Sequence, residues 1–182
     1  GRHSGRRLFE TAYTRSPYRF TVIGYPDIFN TVTQQDLRDY YREKYAPNNV
    51  FYVVVGDIDA LSVIERIRLA YQGAKARPIA PYMLPVEPRQ IAPRDIIEEA
   101  SIELGHYHMA WHIPDLRHPD MPALDVLSVL LGHGRSSRLY EEVRQAKGLA
   151  HSVGTWTCSP GSEGLFGISG TCEAHRFEAG KA

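Results

Sequence analysis

The sequence predicts a fold that mixes α-helices with β-sheet, and three observations carry that prediction. First, Gly132 to Val153 reads as a glycine turn, a helix with its own start and stop, and then a strand. Second, two apolar runs, Asn49–Gly56 and Ile96–Ile113, have the density or alternation of strands, and helical spacing follows each of them. Third, Pro78, Pro81, Pro85, Pro88 and Pro93 cannot sit inside a helix or a central strand, so Gly73 to Arg94 reads as extended chain between two folded halves.

In order along the chain, Leu8–Tyr13 reads as helical and is followed by an irregular passage from Ser16 to Pro26. Thr33 to Asp36 resembles a capping box with a short acidic side chain in place of glutamate. Leu37, Tyr40, Tyr41 and Tyr45 then recur at helical spacing, and Pro47 ends that helix. Asn49–Gly56 is apolar enough to be a strand covered on both faces. Asp57 or Asp59 starts another helix, with Ala60, Val63, Ile64, Ile67 and Tyr71 on its inner face. The strand Ile96–Ile113 changes parity near Gly105, as a bulge or bend would cause. Asp120 and Pro122 introduce an apolar helix closed by Gly132. Ser136 or Ser137 can cap the next helix, Leu139, Val143 and Ala146 mark its inner face, and Gly148 stops it. His151–Cys158 and Leu165–Cys172 read as a hairpin whose turn sets Cys158 beside Leu165 and leaves both cysteines as free thiols.

Composition excludes several classes. Of 182 residues 43% are apolar and 23% charged, as in ordinary globular proteins, and Lys plus Arg equals Asp plus Glu at 21 each. No net field recruits nucleic acid or anionic lipid, and the basic group Arg2, Arg6, Arg7 has no aromatic platform. No apolar run reaches the roughly 18 residues a membrane span needs. The first residues lack the apolar core of a signal peptide and read as the start of a fragment, so the cellular compartment is unknown.

The wording of several segments is more telling than their periodicity. Gly132 to Val153 resembles a signature of the pitrilysin/insulinase/mitochondrial processing peptidase family of zinc peptidases, a glycine loop followed by Ser-Ser-Arg-Leu and, later, Gly-Leu-Ala-Tyr-Ser-Val. Ser16-Pro17-Tyr18-Arg19, Ile23-Gly24, the helix end from Thr33 to Asn48, and Val53-Val54-Val55-Gly56-Asp57 are similar to further landmarks of that family, in the same order. The resemblance implies an α+β fold of antiparallel sheets backed by helices, arranged in the parent around a chamber for extended peptide. It places residues 1–78 at the end of one peptidase-like domain, 79–94 in a proline-rich linker, and 95–182 at the start of the next domain. That register is the family's non-catalytic, "inactive" region.

The family's zinc helix carries His-x-x-Glu-His, and neither that motif nor its inverse occurs here. The resemblance therefore implies no catalytic residue, metal or cofactor in this fragment, with zinc in the parent protein if the parent is catalytic. Glu10 stands too near Ser16 to be the distant third ligand. In peptidase members an Arg and, seven positions later, a Tyr hold the substrate backbone; Arg144 matches the first and His151 stands in place of the second. Arg144, His151 and the loop glycines Gly132 and Gly134 are accordingly the candidate substrate-binding residues, set against the plainer reading of a solvated helix residue and an ordinary strand residue. Two functions follow: a segment of a zinc metallopeptidase that forms chamber wall and backbone contacts, or an inactive binding subunit paired with a catalytic one. Implied partners are a peptide or unfolded polypeptide, the rest of the peptidase or an active subunit, and a second copy recruited along the sheet edge at Asn49–Gly56.

Two motifs invite other chemistry. His106, His108 and His112 share one strand face and could hold zinc, but i, i+2 neighbours stand nearly 7 Å apart at about 3.3 Å per residue, and a polar strand face is the better reading. Asp57-Ile58-Asp59 lacks the later ligands of a calcium loop and reads as a helix cap. The glycine loop lacks the Gly-Lys-Ser/Thr ending of a nucleotide site. The stripe Tyr40, Tyr41, Tyr45 reads as core and rim.

Overall fold

In the computed structural model, residues 1–181 are described, the side chain of Lys181 excepted. Strands β1 (Leu104–Ile113), β2 (Ser152–Cys158) and β3 (Gly164–Glu173) form one antiparallel sheet in the order β1-β3-β2. The helices are α1 (Arg2–Ala12), the short α2 (Pro26–Phe29), α3 (Gln34–Lys44), α4 (Ala60–Ala70), α5 (Met121–Gly132) and α6 (Phe177–Lys181). This is the antiparallel sheet with helices that the α+β expectation describes. The chain packs as two units, Gly1–Val22 together with the chain from Leu84 onward, and Ile23–Met83.

The first unit is built on the β2–β3 hairpin, whose register pairs Cys158 with Leu165 as the turn length requires. Both cysteines are free thiols. Pleating separates two faces. His106, His108 and His112 of β1 lie opposite Thr171, Ser169 and Leu165 of β3, and α1 covers this side. Phe9 stacks on Trp156 at 6.0 Å, and Tyr13 meets the His112 ring edge-on at 5.2 Å. Tyr13 is 1% exposed and donates its hydroxyl to the Glu163 carbonyl at 3.0 Å; burial raises its pKa. The opposite face carries Ile113 and Phe166, which with Met121 of α5 form a buried core extended by Leu124, Leu131 and Ile168.

Extended chain on the N-terminal side of β1 is held by charge. The Glu87 side chain is 2% exposed, and its two oxygens accept from Thr14 N and Oγ1 at 2.7 Å and from Arg15 N and Ser16 N at 2.8 Å. Burial alone would push this carboxyl up, but the hydrogen bonds outweigh it and bring the pKa to about 2. Arg94 donates to the carbonyls of Ala12 at 2.8 Å and Thr11 at 3.4 Å, so a cation closes the C-terminus of α1.

In the second unit local chemistry matches expectation while burial does not. Thr33 and Asp36 form the capping box that starts α3, and the Asp59 carboxylate caps α4 through Ser62 N. Asn48 and Arg77 exchange side-chain and backbone hydrogen bonds, tying the end of α3 to extended chain. Asn49–Gly56, expected as a covered strand, has no strand assignment, and Phe51 is 88% exposed. A strand exists only where a neighbouring strand takes up its N–H and C=O groups, and among the described residues the only paired strands are β1, β2 and β3. The tyrosine stripe is likewise exposed rather than core, and Ala46 is this unit's one buried residue among those described.

Three further expectations are corrected. The strand assigned to Ile96–Ile113 begins at Leu104, because the preceding residues find no partner strand; there is no parity switch within it. The first helix runs from Arg2 rather than Leu8, since ion pairs of Arg7 with Glu10 and Glu98 and the packing on the sheet extend it. The helix after the glycine loop is a wide π-helix, Tyr140–Ala146, and Ser137 does not cap it: its hydroxyl donates to the Gly134 carbonyl at 2.8 Å.

Candidate functional site

α5 ends against the middle of β2. A Cβ on Gly132 would stand 2.3 Å from Thr155 N and 2.4 Å from Thr155 Oγ1, so the close approach admits glycine alone. Thr155 donates its hydroxyl to the Ser128 carbonyl at 2.6 Å and accepts from Ser128 Oγ at 3.1 Å. Gly134 then turns the chain at φ +80°. Between the two glycines His133 reaches the Thr155 carbonyl at 3.1 Å, which fixes its Nε2 as the donor. Beside this crossing lies an open groove of about 360 Å³, lined by Asp125, Ser128, Val129, His133, Trp156 and Thr157.

The π-helix follows. Lys147 N donates to the Glu142 carbonyl at 3.0 Å, Leu149 N donates to Val143 at 2.9 Å, and Gly148 at φ +61° supplies the expected left-handed stop. Arg144 is exposed on this helix, its guanidinium 4.8 Å above the Tyr140 ring. His151 stands one residue before β2, its backbone N–H bonded to the Thr171 carbonyl at 2.8 Å. Its Nε2 lies 2.8 Å from Glu173 Oε1, with both side chains about half exposed. Gly132 thus meets β2 at its centre, Gly134 faces open space, and His151 stands at the start of β2; Arg144 and His151 make separate contacts.

The histidine face of β1 does not assemble a metal site. His108 Nδ1 is 2.7 Å from Ser169 Oγ and its Nε2 is 3.0 Å from Ser4 Oγ; His112 Nε2 donates to the Ala12 carbonyl at 3.0 Å. Burial, with His106 and the N-terminal amine adding, lowers the His108 pKa and keeps it neutral. These contacts occupy both ring nitrogens of His108 and Nε2 of His112, and among the described residues no group of three His, Cys, Asp or Glu could hold a metal. Glu10 pairs with Arg7 at 2.7 Å. Asp59, from the calcium-like triplet, caps α4.

Sequence reasoning missed Glu173, Glu87 and Arg94. For Glu173 a signal existed, because the hairpin register that pairs Cys158 with Leu165 carries the end of β3 alongside His151. Glu87 and Arg94 gave none, since their partners lie more than 70 positions away in the chain.

Comparison with known proteins agrees with the geometry. Residues 31–182 match the family described as the peptidase M16 inactive domain. The chain is 35% identical over 150 residues to the zinc protease PqqE of Helicobacter pylori, covering 79% of this chain and 33% of that protein. An uncharacterized zinc protease of Streptomyces coelicolor is 32% identical over 156 residues, 83% of this chain and 34% of its own length. The crystal structure of a protease from Helicobacter pylori superposes with a TM-score of 0.83 at 29% identity, covering 92% of this chain and 41% of that one. The chain spans about a third of the length of the curated relatives it matches. No helix among the described residues is long and apolar enough to cross a membrane. A glycine loop packed on β2, the helix and strand that follow it, and these matches together show that the chain belongs to the peptidase M16 inactive domain family.

Proposed function

We propose that this chain is a non-catalytic segment of a zinc metallopeptidase, in which it forms chamber wall and contacts the backbone of an extended peptide. The observation that carries the reading is the family match over residues 31–182, in a chain whose described residues form no group of three His, Cys, Asp or Glu able to hold a metal. Peptide hydrolysis, and the zinc it needs, then belong to the rest of the parent protein. Arg144, exposed on its helix, and His151, at the start of β2, act as the backbone clamp, with Gly132 and Gly134 shaping the loop beside them. The chain covers the end of one peptidase-like domain, residues 1–78, a proline-rich connection, 79–94, and the start of the next domain, 95–182. The exposed apolar segment Asn49–Gly56 is where the rest of the peptidase or a second copy would add strands.

A second reading has one observation in its favour. His151 stands where peptidase members carry a tyrosine, and a parent lacking zinc chemistry would serve as a binding subunit beside an active one. A peptidase assay on the full-length gene product, with and without chelator, separates the two. Cleavage that a chelator abolishes supports the first reading, and tight peptide binding without cleavage supports the second. Chelator-sensitive cleavage by the present 182-residue chain alone would overturn both.

A further inference from the structure

The turn between the π-helix and β2 is pinned from a single neighbouring segment. Glu173, at the end of β3 and opposite Leu104 of β1, accepts from His151 Nε2 at 2.8 Å. Three residues on, Arg176 Nη1 donates to the Gly148 carbonyl at 2.6 Å, while its Nε lies 3.3 Å from His175 Nε2. Ala150, between these two anchors, is buried. The His151 backbone is meanwhile fixed by its own hydrogen bond to Thr171. The ring therefore has a set position and one engaged nitrogen.

Which nitrogen is engaged decides what the other can do. An ionised carboxylate only accepts, so Nε2 must carry the proton it shares with Glu173. In the neutral ring Nδ1 is then bare, and a bare imidazole nitrogen accepts a hydrogen bond rather than donating one. A phenol at this position would donate to a peptide carbonyl. We infer that Glu173 is a positioning residue which turns the neutral His151 into an acceptor for a peptide N–H, so that the site reads both polarities of an extended backbone: C=O at Arg144 and N–H at His151. The inference rests on the reading of Arg144 and His151 as a backbone clamp and extends it to a preferred ligand: a peptide whose amide at that point is unsubstituted, which excludes proline and N-alkylated residues there.

The test measures binding of a fluorescein-labelled extended peptide to the full-length protein by anisotropy, at about pH 8.5, above the ordinary imidazole range. A series of the same peptide with one backbone amide N-methylated at a time is compared across variants. With wild-type protein, one methylation weakens binding about tenfold, the scale of one lost hydrogen bond to a fixed partner. His151→Ala and Glu173→Ala reduce that penalty to within about twofold, whereas Glu173→Gln, whose amide oxygen still accepts from Nε2, retains it. A long-range ¹H–¹⁵N spectrum of the histidine rings reports the bare Nδ1 directly and, with the thermal midpoint, separates lost positioning from lost folding. A methylation penalty equal in wild type, His151→Ala and Glu173→Ala, with Arg144→Ala still weakening binding, overturns this inference and leaves the clamp standing. Absence of peptide binding, or unchanged affinity in Arg144→Ala, overturns the clamp itself and this inference with it.

Discussion

Replacing Glu87 by glutamine removes one charge and tests whether a buried carboxylate organises the extended chain ahead of β1. In the wild type Oε1 accepts from Thr14 N and Oγ1, and Oε2 accepts from Arg15 N and Ser16 N. A glutamine keeps one oxygen and turns an NH₂ group toward either Thr14 N and Oγ1 or Arg15 N and Ser16 N, so at least one backbone amide loses its acceptor. The displacement of the Glu87 pKa from its ordinary 4.5 to about 2 corresponds to about 3 kcal/mol of stability carried by the ionised form. The sign follows from linkage. A carboxyl lowered in the folded state contributes in full above pH 4.5, and the contribution is lost as pH falls toward 2. Glu87→Gln should therefore unfold at a urea midpoint about 1–1.5 M lower near neutrality, taking a slope of about 2 kcal/mol per M. The gap should narrow as both proteins are acidified below pH 4.5, because the wild type approaches the uncharged state that the variant already has. A gap that stays constant between about pH 6 and pH 3, or a variant as stable as wild type at pH 7, would refute the reasoning.

The remaining predictions are shorter. His108 is neutral and bridges Ser169 to Ser4, so stability held above the ordinary imidazole pKa should fall as pH drops through the lowered one; urea midpoints at pH 7.5 and 5 should differ less in His108→Gln than in wild type. Gly132→Ala drives a methyl into Thr155 and should cost about 2–3 kcal/mol by thermal melting. Gly134→Ala meets open space but a left-handed backbone, and should cost about 1–2 kcal/mol. If Asn49–Gly56 recruits a second copy, Val53→Lys should lower the sedimentation coefficient at high concentration, and wild-type protein that stays monomeric throughout would sink that expectation.

Much of this molecule was legible from neighbours in the chain. Thr33 and Asp36 announce their capping box, Asp59 its cap, and Gly148 its left-handed stop, because each acts within one helical turn. The hairpin register follows from turn length, and it set Cys158 beside Leu165 and excluded a disulfide. The site was half legible. Arg144, His151 and the two loop glycines came from the wording of one segment, but Glu173 did not, since its role depends on where β3 ends beside the turn. The π-width of the helix was also out of reach: it depends on bonds from Lys147 and Leu149 to carbonyls more than four residues back, which leave no mark on apolar periodicity.

Local chemistry along the chain was thus enough for the helix caps, the left-handed stop and the β2–β3 hairpin, for the thiols staying free, and for the absence of a His-x-x-Glu-His motif. Packing alone settled the rest. It gave the histidine face of β1 to α1 instead of to a metal, seated Glu87 on three backbone amides more than 70 positions earlier in the chain, and left Asn49–Gly56 an exposed segment rather than a strand. The reason is the same in each case. Hydrogen-bond partners and covering side chains brought together across long stretches of chain cannot be read from period or composition, because both describe only what lies within a few residues.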